Sequence, residues 1–290
     1  MGLNPEQVFW KKLQKETPLH PELESFYLNP LLRKKYIEPY KNDRPDPEEF
    51  IGMPGFSEER VSADLQELNK KWLTGKEDTH TVSQIAEGLL YYLATHGQIG
   101  ENIDAIPASE YDDRFNHIDL VLELKDGSSS PLIRIGVDVT TTKYKHPETI
   151  GVHSGTDIGD KLRSTFDALR QGQLGRLEYF QSEPDFKGGV TLPRVILPFS
   201  HEQLIEIAIA LQKGDPISPT IKTYIWSRIA EQLNRGLQIL KGLQIGKNPL
   251  TFRKAKQTYE ISLRAITNQY SPVSSVATED PTPQARGHKS

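Results

Sequence analysis

The sequence predicts an α/β protein in which a mixed β-sheet is flanked by helices, and three observations carry that expectation. In TVSQIAEGLLYYLATHG the apolar Val82, Ile85, Leu89 and Leu93 recur at helical spacing, and Gly97 supplies the stop. The period then changes to two in HIDLVLEL and PLIRIGVDVTTT, either side of the turn cluster KDGSSSP, which reads as an antiparallel hairpin. Beyond it, the helix TDIGDKLRSTFDALRQG, the continuously apolar strand PRVILPF and the amphipathic helix HEQLIEIAIALQKG follow. With a further short strand near Ile103–Ile106, this order is that of an α/β core with a mixed sheet.

The remaining elements are read in order. Residues 1–75 form a helical N-terminal extension, in which VFWKKLQKE, NPLLRKKYIEPY and ERVSADLQELNKKWLTG are helical and proline-rich loops separate them. Residues 76–215 form the core. The polar stretch from Thr141 to Asp160 is long for a loop inside a compact domain, and loops of that length usually carry function. Residues 216–268 form a basic, mainly helical segment, and 269–290 a polar tail expected to be disordered.

Composition narrows the function classes. The 290 residues are 36% hydrophobic and 26% charged with a net charge of −4, which excludes wholesale disorder. The absence of cysteine excludes disulfides, a thiol nucleophile and Cys-based metal sites. The N-terminus has no apolar signal-peptide core and no stretch approaches a membrane span, so a soluble, cytoplasmic protein is expected.

Two carboxylates stand out. Asp119 lies near the start of the first hairpin strand and Asp138 near the end of the second, so antiparallel pairing brings them side by side. Strict alternation puts both on the face opposite the aliphatic stripe of Ile118, Leu120 and Leu122. Carboxylates that close raise each other's pKa unless a cation sits between them, and hard oxygen ligands suit Mg²⁺ or Mn²⁺. That is the equipment of metal-assisted phosphodiester hydrolysis. The plainer alternative is a pair of solvated aspartates at strand ends.

With HIDLVLEL, the turn and IGVDVTTT in this order, the chain resembles the PD-(D/E)xK phosphodiesterase superfamily over about Thr81 to Leu211. The resemblance implies a restriction-endonuclease-like fold with helical N- and C-terminal extensions and a metal-dependent nuclease activity. Asp119 matches the family's Asp on the second core strand, and Asp138 its acidic residue on the third. Glu87 in QIAEGLLYYL matches the helix Glu that often completes the metal site. The Val139 main-chain carbonyl matches a common ligand of the ion.

The chain departs from the family at Thr140, which stands where the motif has lysine. That lysine orients the attacking water and offsets charge growing on phosphorus, a contribution worth several kcal/mol in comparable sites. Threonine hydrogen-bonds but brings no positive charge. Lys143 and Lys145 are nearest, yet strand parity puts both opposite Asp138. Lys161, opening the next helix, is the preferred substitute, so Thr140 and Lys161 would divide the lysine's role. If nothing substitutes, the fold is a module that binds nucleic acid or protein without cleavage.

A rival frame reads Glu123-Leu-Lys125 as E-x-K with Asp112 or Asp113 upstream, but Lys125 sits on a turn, where a charge needs no functional explanation. The histidines lack metal-ligand spacing. GLQIGKN is one residue too short for a phosphate loop, and Asn248 replaces its Ser/Thr.

The expected partner is DNA. Between Ile221 and Arg264 nine Lys/Arg face two Glu, a local field on an acidic chain. Its candidate phosphate contacts are Lys222, Arg228, Arg235, Lys241, Lys247, Arg253, Lys254 and Lys256. A solvated helical face is the alternative. The resemblance leaves room for a homodimer in which each copy cuts one strand, though no dimer surface is legible.

Overall fold

The fold is described from a computed structural model, which covers residues 19–74, 81–125, 132–142, 157–182, 186–243 and 249–270. Helices α1 (Pro21–Leu28), α2 (Pro30–Tyr36) and α3 (Glu38–Asn42) follow one another with single-residue breaks, and each carries proline in its first turn. Proline suits that position because the N–H it lacks would have no intrahelical partner. Asn29 caps α2 by accepting from the Leu31 and Leu32 N–H groups. A 3₁₀ turn (Pro47–Phe50) leads to α4 (Glu58–Thr74). The helix expected at VFWKKLQKE and the polar tail lie outside the described residues, as do Lys143, Lys145 and most of the Thr141–Asp160 stretch.

The amphipathic helix expected after this segment is α5 (Thr81–Thr95), with Gly97 at φ 66° beyond its end. Strand β1 (Ile103–Pro107), helix α6 (Glu110–Asn116), and strands β2 (Leu120–Leu124) and β3 (Ile133–Thr142) follow. Helix α7 (Asp157–Arg170) leads to a hairpin of β4 (Gly175–Ser182) and β5 (Phe186–Leu192), then to β6 (Arg194–Ser200). Helices α8 (His201–Lys213), α9 (Pro219–Gly242) and α10 (Pro249–Tyr270) complete the order. Ser200 starts α8 with a reciprocal capping box to Gln203. Among the described residues, no helix is long and apolar enough to cross a membrane.

The main sheet has the strand order β1-β2-β3-β6. β2 is antiparallel to both neighbours, whereas β6 is parallel to β3, so the sheet is mixed as expected. On one face Leu120, Leu122, Ile135 and Val137 join Ile85, Leu89 and Leu93 of α5. Leu23, Phe26, Ile37 and Tyr40 belong to the same cluster, so the N-terminal helices share the sheet's core instead of standing apart from it.

On the other face Ile118 and Val121 pack with Leu177, Phe180 and Leu192 of the β4–β5 hairpin. No periodicity in the sequence marks this hairpin. Ile118 also corrects the strict alternation expected for the first hairpin strand, because it lies with Val121 and not with Leu120 and Leu122. The Asp119 N–H donates to Val137 O at 2.9 Å, and Val137 is also the residue against which Leu120 is registered. Two successive residues thus meet one, the relation found at a bulge, and such a step re-aims the side chains before it.

Candidate active site

The irregular start of β2 sets the geometry. Asp119 is only 6% exposed, and its Oδ2 accepts from the Val139 N–H at 2.6 Å. Asp138 is 2% exposed, and its oxygens are held elsewhere: Lys161 Nζ lies 2.9 Å from Oδ1 and Arg194 Nη2 lies 2.5 Å from Oδ2. The two aspartates therefore stand on neighbouring strands, as expected, with different partners. Their charges still act on each other, because Asp138 is among the groups that raise the Asp119 pKa.

Around Asp119 lies an acidic group drawn from three segments. Burial first, then Asp113, Glu87 and Asp138, push the Asp119 carboxyl well above the usual carboxylate range. Burial and Asp113 push Glu87 up to about 8, against the opposing pull of Arg44. Arg44 Nη2 is 2.9 Å from Asp113 Oδ2 and 3.8 Å from Glu87 Oε2. It also donates to the Tyr40 hydroxyl at 2.6 Å, which in turn donates to Asp119 O at 3.2 Å.

The close approach that brings Tyr40 and Arg44 here depends on Gly88. A Cβ at that position would lie 2.9 Å from both Ile37 Cα and Tyr36 O, so only glycine lets the α2–α3 junction lie against α5 beside Glu87.

Around Asp138 lies a cationic group. It consists of Lys161 and Arg194; His117 stands beside them, at φ 52° in the left-handed region just before β2. Burial, then the Arg194 charge, lower the His117 pKa; Asp138 opposes them and Lys161 adds to them. Thr140 is buried in β3 opposite Pro198 and shares the Asp138 face by alternation. The preferred substitute Lys161 is thus brought directly onto Asp138, while Thr140 adds no charge.

A divalent ion has a mixed fit to these residues. Among the described residues, no group of three or more acidic or histidine side chains is arranged as a metal-binding cluster. The chemistry of Glu87 and Asp119 nevertheless suits a hard cation, since both are carboxyls whose negative form is poorly compensated. Asp138 fits less well as it stands, with both oxygens on cations. At Val139 the visible contact is made by its N–H and not by its carbonyl.

The rival frame separates into structural parts. Glu123 accepts from Arg134 Nε at 2.6 Å and from the Ser182 hydroxyl at 2.8 Å, which ties β2 to β3 and β4. Asp112 accepts from the Ser109 hydroxyl, Asn116, and the Glu178 and Tyr179 N–H groups, and so pins α6 to the β4 backbone. Its neighbour Asp113 instead joins Asp119. In the sequence Asp113 stands out only within the rival frame, and nothing local marks Arg44. The local signal for Arg194 is a lone charge opening an otherwise apolar strand.

The basic segment is helical as expected, and its charges differ in setting. Lys241, Arg253, Lys254 and Lys256 are exposed and Lys222 is half-buried. Arg228 pairs with Glu231 at 2.9 Å, Lys256 is 3.9 Å from Glu260, and Arg235 lies 4.9 Å over the Phe166 ring of α7. Lys247 lies outside the described residues. No protein-family model matches this chain, and no curated protein or solved structure matches it either.

Proposed function

We propose that this protein is a metal-dependent nuclease that hydrolyses phosphodiester bonds of DNA on a restriction-endonuclease-like core. The observation that carries the reading is Lys161 Nζ at 2.9 Å from Asp138, on the strand next to the buried Asp119. The order α5-β1-α6-β2-β3-α7-β4-β5-β6, with only β6 parallel to its neighbour in the main sheet, supports the fold part of the reading. The β4–β5 hairpin then counts as an insertion before the last core strand.

Glu87 and Asp119 would hold Mg²⁺ or Mn²⁺, with Asp138 and the Val139 carbonyl as the further ligands the resemblance implies. Such an ion neutralises phosphate charge and lowers the pKa of a bound water. The chain's own part is electrostatic and positional. Lys161 supplies the positive charge missing at Thr140, close enough to Asp138 to be held in one orientation. The Thr140 hydroxyl is a hydrogen-bonding group on the same face. Arg253, Lys254 and their neighbours on α9 and α10 would add sequence-independent phosphate contacts.

A second reading rests on Arg194. It takes the Asp138 oxygen that Lys161 leaves, and a carboxylate closed off in this way favours a module that binds nucleic acid or a protein partner without cutting.

Nicking of supercoiled plasmid in Mg²⁺ or Mn²⁺, with Asp138→Ala and Lys161→Ala as controls, separates the two. Metal-dependent nicking lost in both variants is the expected result. Wild-type protein that binds DNA but leaves plasmid, single strands and RNA intact would retain the module and remove the enzyme.

A further inference from the structure

We propose that Arg194 is a second cationic catalytic residue, donating its guanidinium N–H groups to the phosphate of a bound nucleic acid alongside Lys161. The proposal rests on the nuclease reading and extends it to a residue that the lysine motif does not contain.

Its basis is geometric. Parallel pairing sets Arg194 against Gly136 and Ile196 against Asp138, so Arg194 lies on the Asp138 face, one two-residue step away. The side chain is 13% exposed, and Nη2 reaches along the strand to Asp138 Oδ2 at 2.5 Å. Its Nε is buried and has no hydrogen-bond partner among the described residues. A buried N–H left unpaired is costly and calls for an explanation, and Arg194 shares that state with Arg44 Nε and Arg228 Nη2; it differs from them in lying on Asp138.

The donor count points the same way. Among the described residues two cations, Lys161 and Arg194, meet the one Asp138 carboxylate, so its two oxygens do not use up the donors of the guanidinium fork. A lysine or glutamine would serve to hold Asp138 in place. The planar fork of arginine suits one edge on a carboxylate and further N–H groups on phosphate oxygens. Arg194 keeps its proton throughout; it stabilises charge on the phosphate and transfers nothing.

The test uses the full chain with Arg194→Gln, which keeps an N–H for Asp138 and deletes the charge. Binding of a fluorescein-labelled DNA duplex in EDTA is followed against salt. The slope of log affinity on log salt is expected to fall by about one relative to wild type. Plasmid nicking in Mn²⁺ is expected to drop about 100-fold, the loss typical of one missing donor to a reacting oxyanion. An unchanged slope with nicking within about twofold of wild type overturns the proposal, because Arg194 then only clamps Asp138.

If Arg194→Gln does not fold, Arg194→Lys decides. It retains the charge but not the fork, so nicking about tenfold slower at a wild-type melting temperature is expected, and unchanged nicking overturns the proposal. Should wild-type protein nick nothing, the nuclease reading falls while the salt slope in EDTA still decides the phosphate contact. Wild-type protein with no DNA affinity at low salt removes both.

Discussion

Arg44 Nη2 lies 2.9 Å from Asp113 Oδ2, which ties the N-terminal helices to the acidic group at the start of β2. Arg44→Met removes the cation while leaving Asp113, Glu87 and Asp119 in place. Breaking a largely buried pair from one side leaves the other charge uncompensated, so a loss of about 3 kcal/mol is expected in urea unfolding. Coincident wild-type and variant midpoints would show that this contact contributes nothing.

Glu87 predicts how stability depends on pH when no metal is present. Its folded-state pKa, about 8, stands above the roughly 4.3 of an unfolded glutamate. Between those values the folded state binds the extra proton, so stability is highest below the lower one and falls as pH rises towards the upper one. The slope contributed by this one group is at most about 1.4 kcal/mol per pH unit. Unfolding in EDTA between these limits, compared with Glu87→Gln, checks the sign; a variant with the wild-type slope would assign the dependence to other groups.

Asp112 predicts a purely structural loss. Its carboxylate accepts from four donors, including the Glu178 N–H at 2.7 Å and the Tyr179 N–H at 2.9 Å. Asp112→Ala leaves those buried donors unpaired and is expected to cost about 3 kcal/mol, with Asp112→Asn intermediate because one acceptor oxygen remains. Thermal unfolding of the three proteins measures the order.

Arg253 and Lys254 are exposed on α10. If α10 lies along a phosphate backbone, Arg253→Gln/Lys254→Gln reduces the salt slope of duplex binding by about two and leaves the melting temperature unchanged. A slope equal to wild type would make this stretch an ordinary solvated face. Arg235 is a poorer probe, since its packing over Phe166 means that its removal also disturbs the α7–α9 contact.

Much of the core was legible because its signals are local. The 3.6 period of α5, the period of two in β2 and β3, and the unbroken apolar run of β6 each reflect which faces are buried. Lys161 was legible for a related reason, since a helix after a crossover packs beside the strand it leaves. The β4–β5 hairpin was not. Its buried Leu177, Tyr179 and Phe180 alternate imperfectly, and β5 carries the half-buried Lys187 and a Gly188-Gly189 pair that gives no apolar signal. Ile118 was misassigned because one extra residue at Asp119 reverses parity without any mark in composition.

By itself, then, the sequence determined the mixed α/β order, the adjacency of Asp119 and Asp138, and the helix that presents Lys161. Only the tertiary structure decided that Asp113 joins Asp119 and Glu87, and that Arg194 joins Lys161 at Asp138. It alone brought Arg44, from the bend after α3 and 69 residues before Asp113, into the same group. The physical reason is that periodicity records which side of an element is buried. The partner that a buried charge finds depends on backbone approach between distant segments, and here that approach turns on Gly88 and on a single-residue irregularity in β2.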